Sequence, residues 1–144
     1  MLIVEVDRVR LQALQRILAS RAHVDPCTDF VGARARLLAR PPHLLVTNSR
    51  LGAYNGLHLV YLAAAAALPT RVVVYGDVDR VALARETQTA GAFFVPGQQI
   101  AAALTAYLDA DLPPHDRRDV ERPDRRHPFR GGRRATDSNA LHVS

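Results

Sequence analysis

Residues 1–112 predict an α/β domain: a five-stranded parallel sheet with helices on both faces, a three-layer sandwich with strand order 2-1-3-4-5. Three observations predict it. Short apolar runs recur five times, and they are continuous rather than alternating, which marks strands buried on both faces. A segment of helical character follows each run, as in a chain of βα units. The breaks between them carry Pro, Gly, Asp or Asn, residues that punctuate helix and strand ends.

The elements follow in order. Met1 to Val6 reads as the first strand. Asp7 caps the first helix, whose apolar face is Leu11, Leu14, Ile17 and Leu18. His23 to Cys27 is a weak second strand interrupted by Pro26. Thr28 or Asp29 caps the second helix, with Phe30, Ala33, Leu37 and Leu38 inward, and Pro41-Pro42 stops it. Leu44 to Thr47 is the third strand, followed by an exposed loop. Asn55-Gly56 opens the alanine-rich third helix, which runs to Pro69. The β-branched run Arg71 to Tyr75 is the fourth strand, and Asp77 caps a weaker helix that ends near Gly91. Ala92 to Val95 is the fifth strand, and Ile100, Leu104, Tyr107 and Leu108 stripe the last helix. Right-handed crossovers turn this order into the flavodoxin-like arrangement. Ligand sites in such sheets lie beyond the carboxyl ends of the strands.

Composition narrows the function classes. The chain is 48% hydrophobic and 23% charged, as expected of an ordinary soluble domain. No apolar run reaches the roughly 18 residues of a membrane span. The start, Met1-Leu2-Ile3-Val4, has no basic segment or cleavage site and argues against a secretory signal. The single cysteine, Cys27, excludes an internal disulfide framework and fits a reducing cytoplasm; its plain reading is a small semi-buried residue. Net charge is +5, and all 19 basic residues are arginine. No Gly-rich phosphate loop, nucleophile–histidine pairing or helix-borne metal pair is present, and the six histidines are scattered. No catalytic residue, metal site or cofactor is therefore assigned.

The strand ends, taken together, resemble the receiver domain of two-component response regulators. The resemblance rests on Leu2-Ile3-Val4-Glu5-Val6-Asp7, on the Asn48–Gly56 loop with Leu57, on Val72-Val73-Val74-Tyr75-Gly76-Asp77, and on Ala90-Gly91-Ala92-Phe93-Phe94-Val95. It covers about residues 1–108. It implies a pocket that holds Mg²⁺ on first-strand carboxylates and phosphorylates a third-strand aspartate. A fourth-strand Ser or Thr and a fifth-strand lysine complete that pocket. The chain departs at each point. Asn48 stands at the acceptor position, Tyr75 at the hydroxyl position, and the fifth strand ends Val95-Pro96-Gly97 in a chain with no lysine. Glu5 and Asp7 remain, with Val6 between them where the family carries an acid. The degenerate pocket thus comprises Glu5, Val6, Asp7, Asn48, Arg50, Tyr75 and Gly97. Glu5 and Asp7 also read as a solvated strand end and a helix cap, and Asn48 as an amide that stabilises its turn. A carboxamide is a poor nucleophile, so the expected function is phosphorylation-independent protein interaction in bacterial signalling.

Receiver relatives use the face of the fourth helix, fifth strand and fifth helix, often to dimerise. Here that face offers Arg80, Arg85, Gln88, Gln98 and Gln99 as candidates for a protein partner or a second copy. After Leu112 the composition changes. Residues 113–144 hold eight arginines against five acids, with doublets at Arg117-Arg118, Arg125-Arg126 and Arg133-Arg134. Few apolar residues offset ordering entropy there, so an irregular, solvated tail is expected. The doublets suit phosphate or carboxylate. A nucleic-acid adaptor using this tail is the alternative function, although its five acids count against it. A small-molecule binder or enzyme in the crevice is a second alternative.

Overall fold

The computed structural model describes residues 1–76 and 81–110. Seven strands and five helices follow in the order β1 (Leu2–Val4), α1 (Arg8–Leu18), β2 (Asp25–Cys27), α2 (Phe30–Ala39), β3 (Leu44–Asn48), β4 (Arg50–Leu51), β5 (Tyr54–Asn55), α3 (Leu57–Ala65), β6 (Arg71–Gly76), α4 (Val81–Thr89), β7 (Phe93–Pro96) and α5 (Ile100–Asp109). The main sheet has the order β2-β1-β3-β6-β7, and all four of its pairings are parallel. Counted within that sheet alone, this is the order 2-1-3-4-5.

Strand periodicity divides the core in two. One face of the sheet carries Leu2, Val4, Leu45, Val72 and Val74, packed with Leu37 of α2, Leu57 and Val60 of α3, and Leu83 of α4. The other carries Ile3, Leu44, Val46, Val73 and Tyr75, packed with Leu11, Leu14 and Leu18 of α1 and Ile100 and Leu104 of α5. Each large apolar side chain buried this way contributes about 1.5–3 kcal/mol. Three expected core positions are instead exposed at the flanks of their helices: Ile17, Leu38 and Tyr107. Phe93 is also exposed, at 66%, while its neighbour Phe94 packs on the first core cluster.

Asp7 and Asp29 cap α1 and α2 through the amides of Val9, Arg10 and Gly32. The α3 helix ends at Ala65, short of Pro69. Ala67 then adopts φ +48°. The Leu68 amide donates to the Ala63 carbonyl and the Ala67 amide to that of Ala64, the Schellman pattern that normally places glycine at the left-handed position.

Pro26 sits within β2 because β2 is an edge strand. Asp25 and Cys27 direct their ladder groups toward β1. The Pro26 carbonyl accepts from the Arg36 guanidinium at 2.6 Å, which leaves little of this edge for strand pairing.

One element was not expected. The loop after Asn48 forms an antiparallel hairpin, with Arg50 opposite Asn55 and Leu51 opposite Tyr54. Gly52 turns it at φ +67°, a conformation that costs glycine little. Tyr54 stacks on Phe30 with centroids 4.6 Å apart, so the hairpin is held against the start of α2.

Candidate functional site at the strand ends

Glu5 follows β1 directly, and its side chain is almost fully buried. Its reading as a solvated strand end is therefore corrected. Burying a carboxylate costs heavily unless donors surround it. Here three donors do. The Asp7 backbone amide donates to Oε1 at 2.9 Å. The Tyr75 hydroxyl donates to Oε2 at 2.6 Å, and the Asn48 side-chain amide donates to the same oxygen at 2.9 Å. Arg10 approaches Oε2 at 3.7 Å from the first turn of α1.

Each donor has a structural reason to be there. Asn48 and Tyr75 are partners in the β3–β6 register, so both side chains arrive at the same level of the sheet. The other end of the Asn48 side chain accepts from the Arg50 amide at 3.0 Å. Only one orientation of the carboxamide satisfies both contacts, with Nδ2 toward Glu5 and Oδ1 toward the hairpin. Asn48 is thus a turn-stabilising residue and a bridge to β1 at once. Tyr75 is fully buried, as its bulk at a strand end predicts. Burial and then the Glu5 hydrogen bond hold its phenol far above the usual tyrosine range.

The backbone around this network is tight. The Ser49 amide donates to the Tyr75 carbonyl, and the Gly56 amide donates to the Ser49 carbonyl. A Cβ on Gly56 would collide with the Asn48 carbonyl oxygen, so the hairpin returns to β3 only because residue 56 lacks one. The Gly97 amide donates to the Gly76 carbonyl at 2.7 Å and closes the end of β7.

Of the residues singled out in the sequence, Glu5, Asp7, Asn48 and Tyr75 converge. Asp7 contributes its backbone to the network, while its own carboxylate caps α1. Arg50 enters through its backbone amide alone. Val6 is 45% exposed, and Gly97 lies at the rim. Arg85, Gln88, Gln98 and Gln99 are exposed. Arg80, the Asp77 cap and the tail doublets lie outside the described residues. Arg10 was missed, although its place one turn into the helix after Asp7 is a usable signal.

A hard divalent cation, which the receiver resemblance implies, does not fit these donors. Both Glu5 oxygens already face N–H or O–H groups, and the carboxamide turns its nitrogen inward. Among the described residues, no group of three or more His, Cys, Asp or Glu side chains converges, and no helix is long and apolar enough to cross a membrane.

No protein-family model matches this chain, and no curated protein sequence matches it. Solved structures do. The signal receiver domain of a putative LuxO repressor protein from Vibrio parahaemolyticus superposes with a TM-score of 0.69 at 18% identity, over 74% of this chain and 83% of that one. A receiver domain of a Francisella response regulator gives 0.68 at 13% identity, over 74% and 90%. A Burkholderia pseudomallei response regulator, solved with a phosphorylated aspartic acid, a calcium ion and citrate, gives 0.67 at 20% identity, over 76% and 65%. The chain therefore has the fold of a response-regulator receiver domain.

Proposed function

We propose that this chain is a signalling module of receiver type that works through protein contact and without an aspartyl-phosphate cycle. The observation that carries the reading is the saturated Glu5 carboxylate. In a phosphorylated receiver, the corresponding strand ends must be open to a cation and to phosphate. Here the Asn48 amide and the Tyr75 hydroxyl occupy the carboxylate from within. A neutral amide does not attack a phosphoryl donor, and a chain without lysine has no ammonium group at the fifth strand to balance its charge.

Function then rests on the outer surface. The helices α4 and α5 both pack against β7. Each of these three elements exposes one large apolar side chain: Val81, Phe93 and Tyr107. Arg85 and Gln88 on α4, and Gln98 and Gln99 between β7 and α5, are also exposed. Apolar anchors with a polar rim suit a protein partner, and a second copy of the chain is the first to test.

The test has two arms on the full chain. Acetyl phosphate or beryllofluoride with Mg²⁺ should leave the intact mass and the amide spectrum around Asn48 unchanged. Phe93→Ser should weaken self-association or partner capture without lowering the melting temperature. A stable phosphorylated species would defeat the proposal, and unchanged association in the variant would remove this face from it.

A further inference from the structure

The charge of the described fold is lopsided. From Arg8 to Arg40 there are seven arginines and two acids, whereas the described residues after Arg40 hold three arginines and two acids. Neither α1 nor α2 contains an acidic residue. These two helices flank the β2 edge on opposite faces of the sheet. Beside them lies an open trough: a section of about 640 Å³ runs along α1 and the segment before β2, and a second of about 280 Å³ lies between α1 and α2. Gln12 and Gln15 line both sections, which therefore adjoin.

Its lining mixes aliphatic side chains, Leu11, Ala19, Ala22 and Val24, with three arginines, two glutamines and the carboxylate of Asp29. Arg8, Gln12, Gln15 and Arg16 fall within an arc of about 100° on α1, at 100° per residue. Arg36 faces them from α2, and Pro26 forms the floor. Two acids stand nearby and offset part of this charge, so Arg8 and Arg16 are the unpaired cations of the trough among the described residues. Asp25 pairs with Arg36 at 2.7 Å, and Asp29 accepts the Gly32 amide at the head of α2. Arg8 and Arg16 have no carboxylate within 4.0 Å among the described residues. Both are exposed.

We propose that this trough binds the phosphate backbone of a duplex nucleic acid. Arginine forks and glutamine amides are the side chains that contact phosphate oxygens. Arg8 and Arg16 are separated by a rise of about 12 Å along α1, enough for each to reach a different phosphate. Protein interfaces are anchored most often by aromatic side chains, and no Phe, Tyr or Trp lines the trough. The same lack leaves no platform for unstacked bases, which favours a duplex over a single strand. Contact is then with the backbone, independent of sequence. The site is distinct from the strand-end network and from the arginine-rich tail, so it stands apart from the function proposed above.

The experiment titrates the full chain into a fluorescent 20-base-pair duplex between 50 and 200 mM NaCl. It compares the natural chain with Arg8→Gln/Arg16→Gln, with Arg8→Lys/Arg16→Lys, and with a variant whose three tail doublets are glutamine. Losing two phosphate contacts should lower the salt slope by about 1.8, so the affinity ratio of natural chain to glutamine variant shrinks about 12-fold across that range. The lysine variant should retain most of the slope, and the tail variant should keep a binding component that Arg8→Gln/Arg16→Gln abolishes. Matching circular dichroism and melting temperatures establish that the variants fold. An unchanged slope in the glutamine variant, no duplex binding by the natural chain, or preferential binding of a polyglutamate peptide would each overturn the proposal.

Discussion

Replacing Asn48 with aspartate tests the Glu5 network most directly. The Asn48 Nδ2 lies 2.9 Å from Glu5 Oε2, so Asn48→Asp places an oxygen where a donor stood. If both groups stay ionised, two charges about 4 Å apart at an effective dielectric near 20 repel by about 4 kcal/mol. The alternative is uptake of one proton shared between them. Protonating an ordinary carboxyl at pH 7, three units above its usual range, also costs about 4 kcal/mol. The shared proton restores a hydrogen bond and returns about 1 kcal/mol of that. Both routes place the loss near 3–4 kcal/mol at pH 7. They differ in pH dependence. The folded variant holds its proton more tightly than the unfolded chain, so its deficit grows as pH rises above the ordinary carboxylate range. At pH 5 protonation costs only about 1.4 kcal/mol, and the deficit should shrink to match. Urea denaturation followed by circular dichroism at pH 5 and pH 7, each against the natural chain, measures both values. Equal stability of variant and natural chain at pH 7 would show that the amide does not face Glu5. A deficit that is the same at both pH values would rule out carboxylate repulsion as its cause.

Two further perturbations probe other parts of the same reasoning. Tyr75→Phe removes a donor to a buried carboxylate and should cost about 1.5–3 kcal/mol at neutral pH by chemical denaturation. Because the folded phenol resists ionisation, the natural chain keeps its full stability below pH 10 and loses about 1.4 kcal/mol per unit above it, a slope the phenylalanine variant lacks; parallel alkaline unfolding curves would contradict the burial of that phenol. Ala67→Gly should stabilise the chain by up to about 1 kcal/mol, since it relieves a left-handed alanine at the end of α3 and gives back part of the gain as unfolded-state entropy; a loss of stability would mean that φ +48° carries no strain.

The fold was legible because its strands are buried on both faces. Runs such as Leu44 to Thr47 and Val72 to Tyr75 admit few other structures, and their alternation with helices leaves one common topology. Helix flanks were less legible. Ile17 and Leu38 each adjoin a buried leucine in sequence, and apolar character alone does not separate the buried stripe from its margin. The hairpin at Arg50–Asn55 escaped notice because two-residue strands show no periodicity. Gly52-Ala53 was the available signal, a glycine-first turn between Leu51 and Tyr54. The site was half legible. Glu5, Asn48 and Tyr75 each stood out as members of one pocket, but their mutual hydrogen bonds span separations of 43 and 70 residues. Such contacts depend on strand register, which the sequence pattern leaves open by a residue. Glu5 was taken as solvated because carboxylates usually are. Its burial follows from the tyrosine and asparagine that register brings beside it.

That network also bears on motion. Opening the crevice would break the bonds of Tyr75 and Asn48 to one buried carboxylate. At about 1.5–3 kcal/mol each, the opened state lies some 3–6 kcal/mol above the closed one, below one part in a hundred of the population. A partner on the α4–β7–α5 face shifts that balance only by the difference in its affinity for the two states. Nothing in the closed crevice rewards such a difference: Tyr75 already fills the space, and Glu5 already has its donors. An amide and a phenol therefore do more than remove a reactive carboxylate. They stabilise one conformation of the strand ends, and under the proposed function a partner would meet a surface already set in its binding shape.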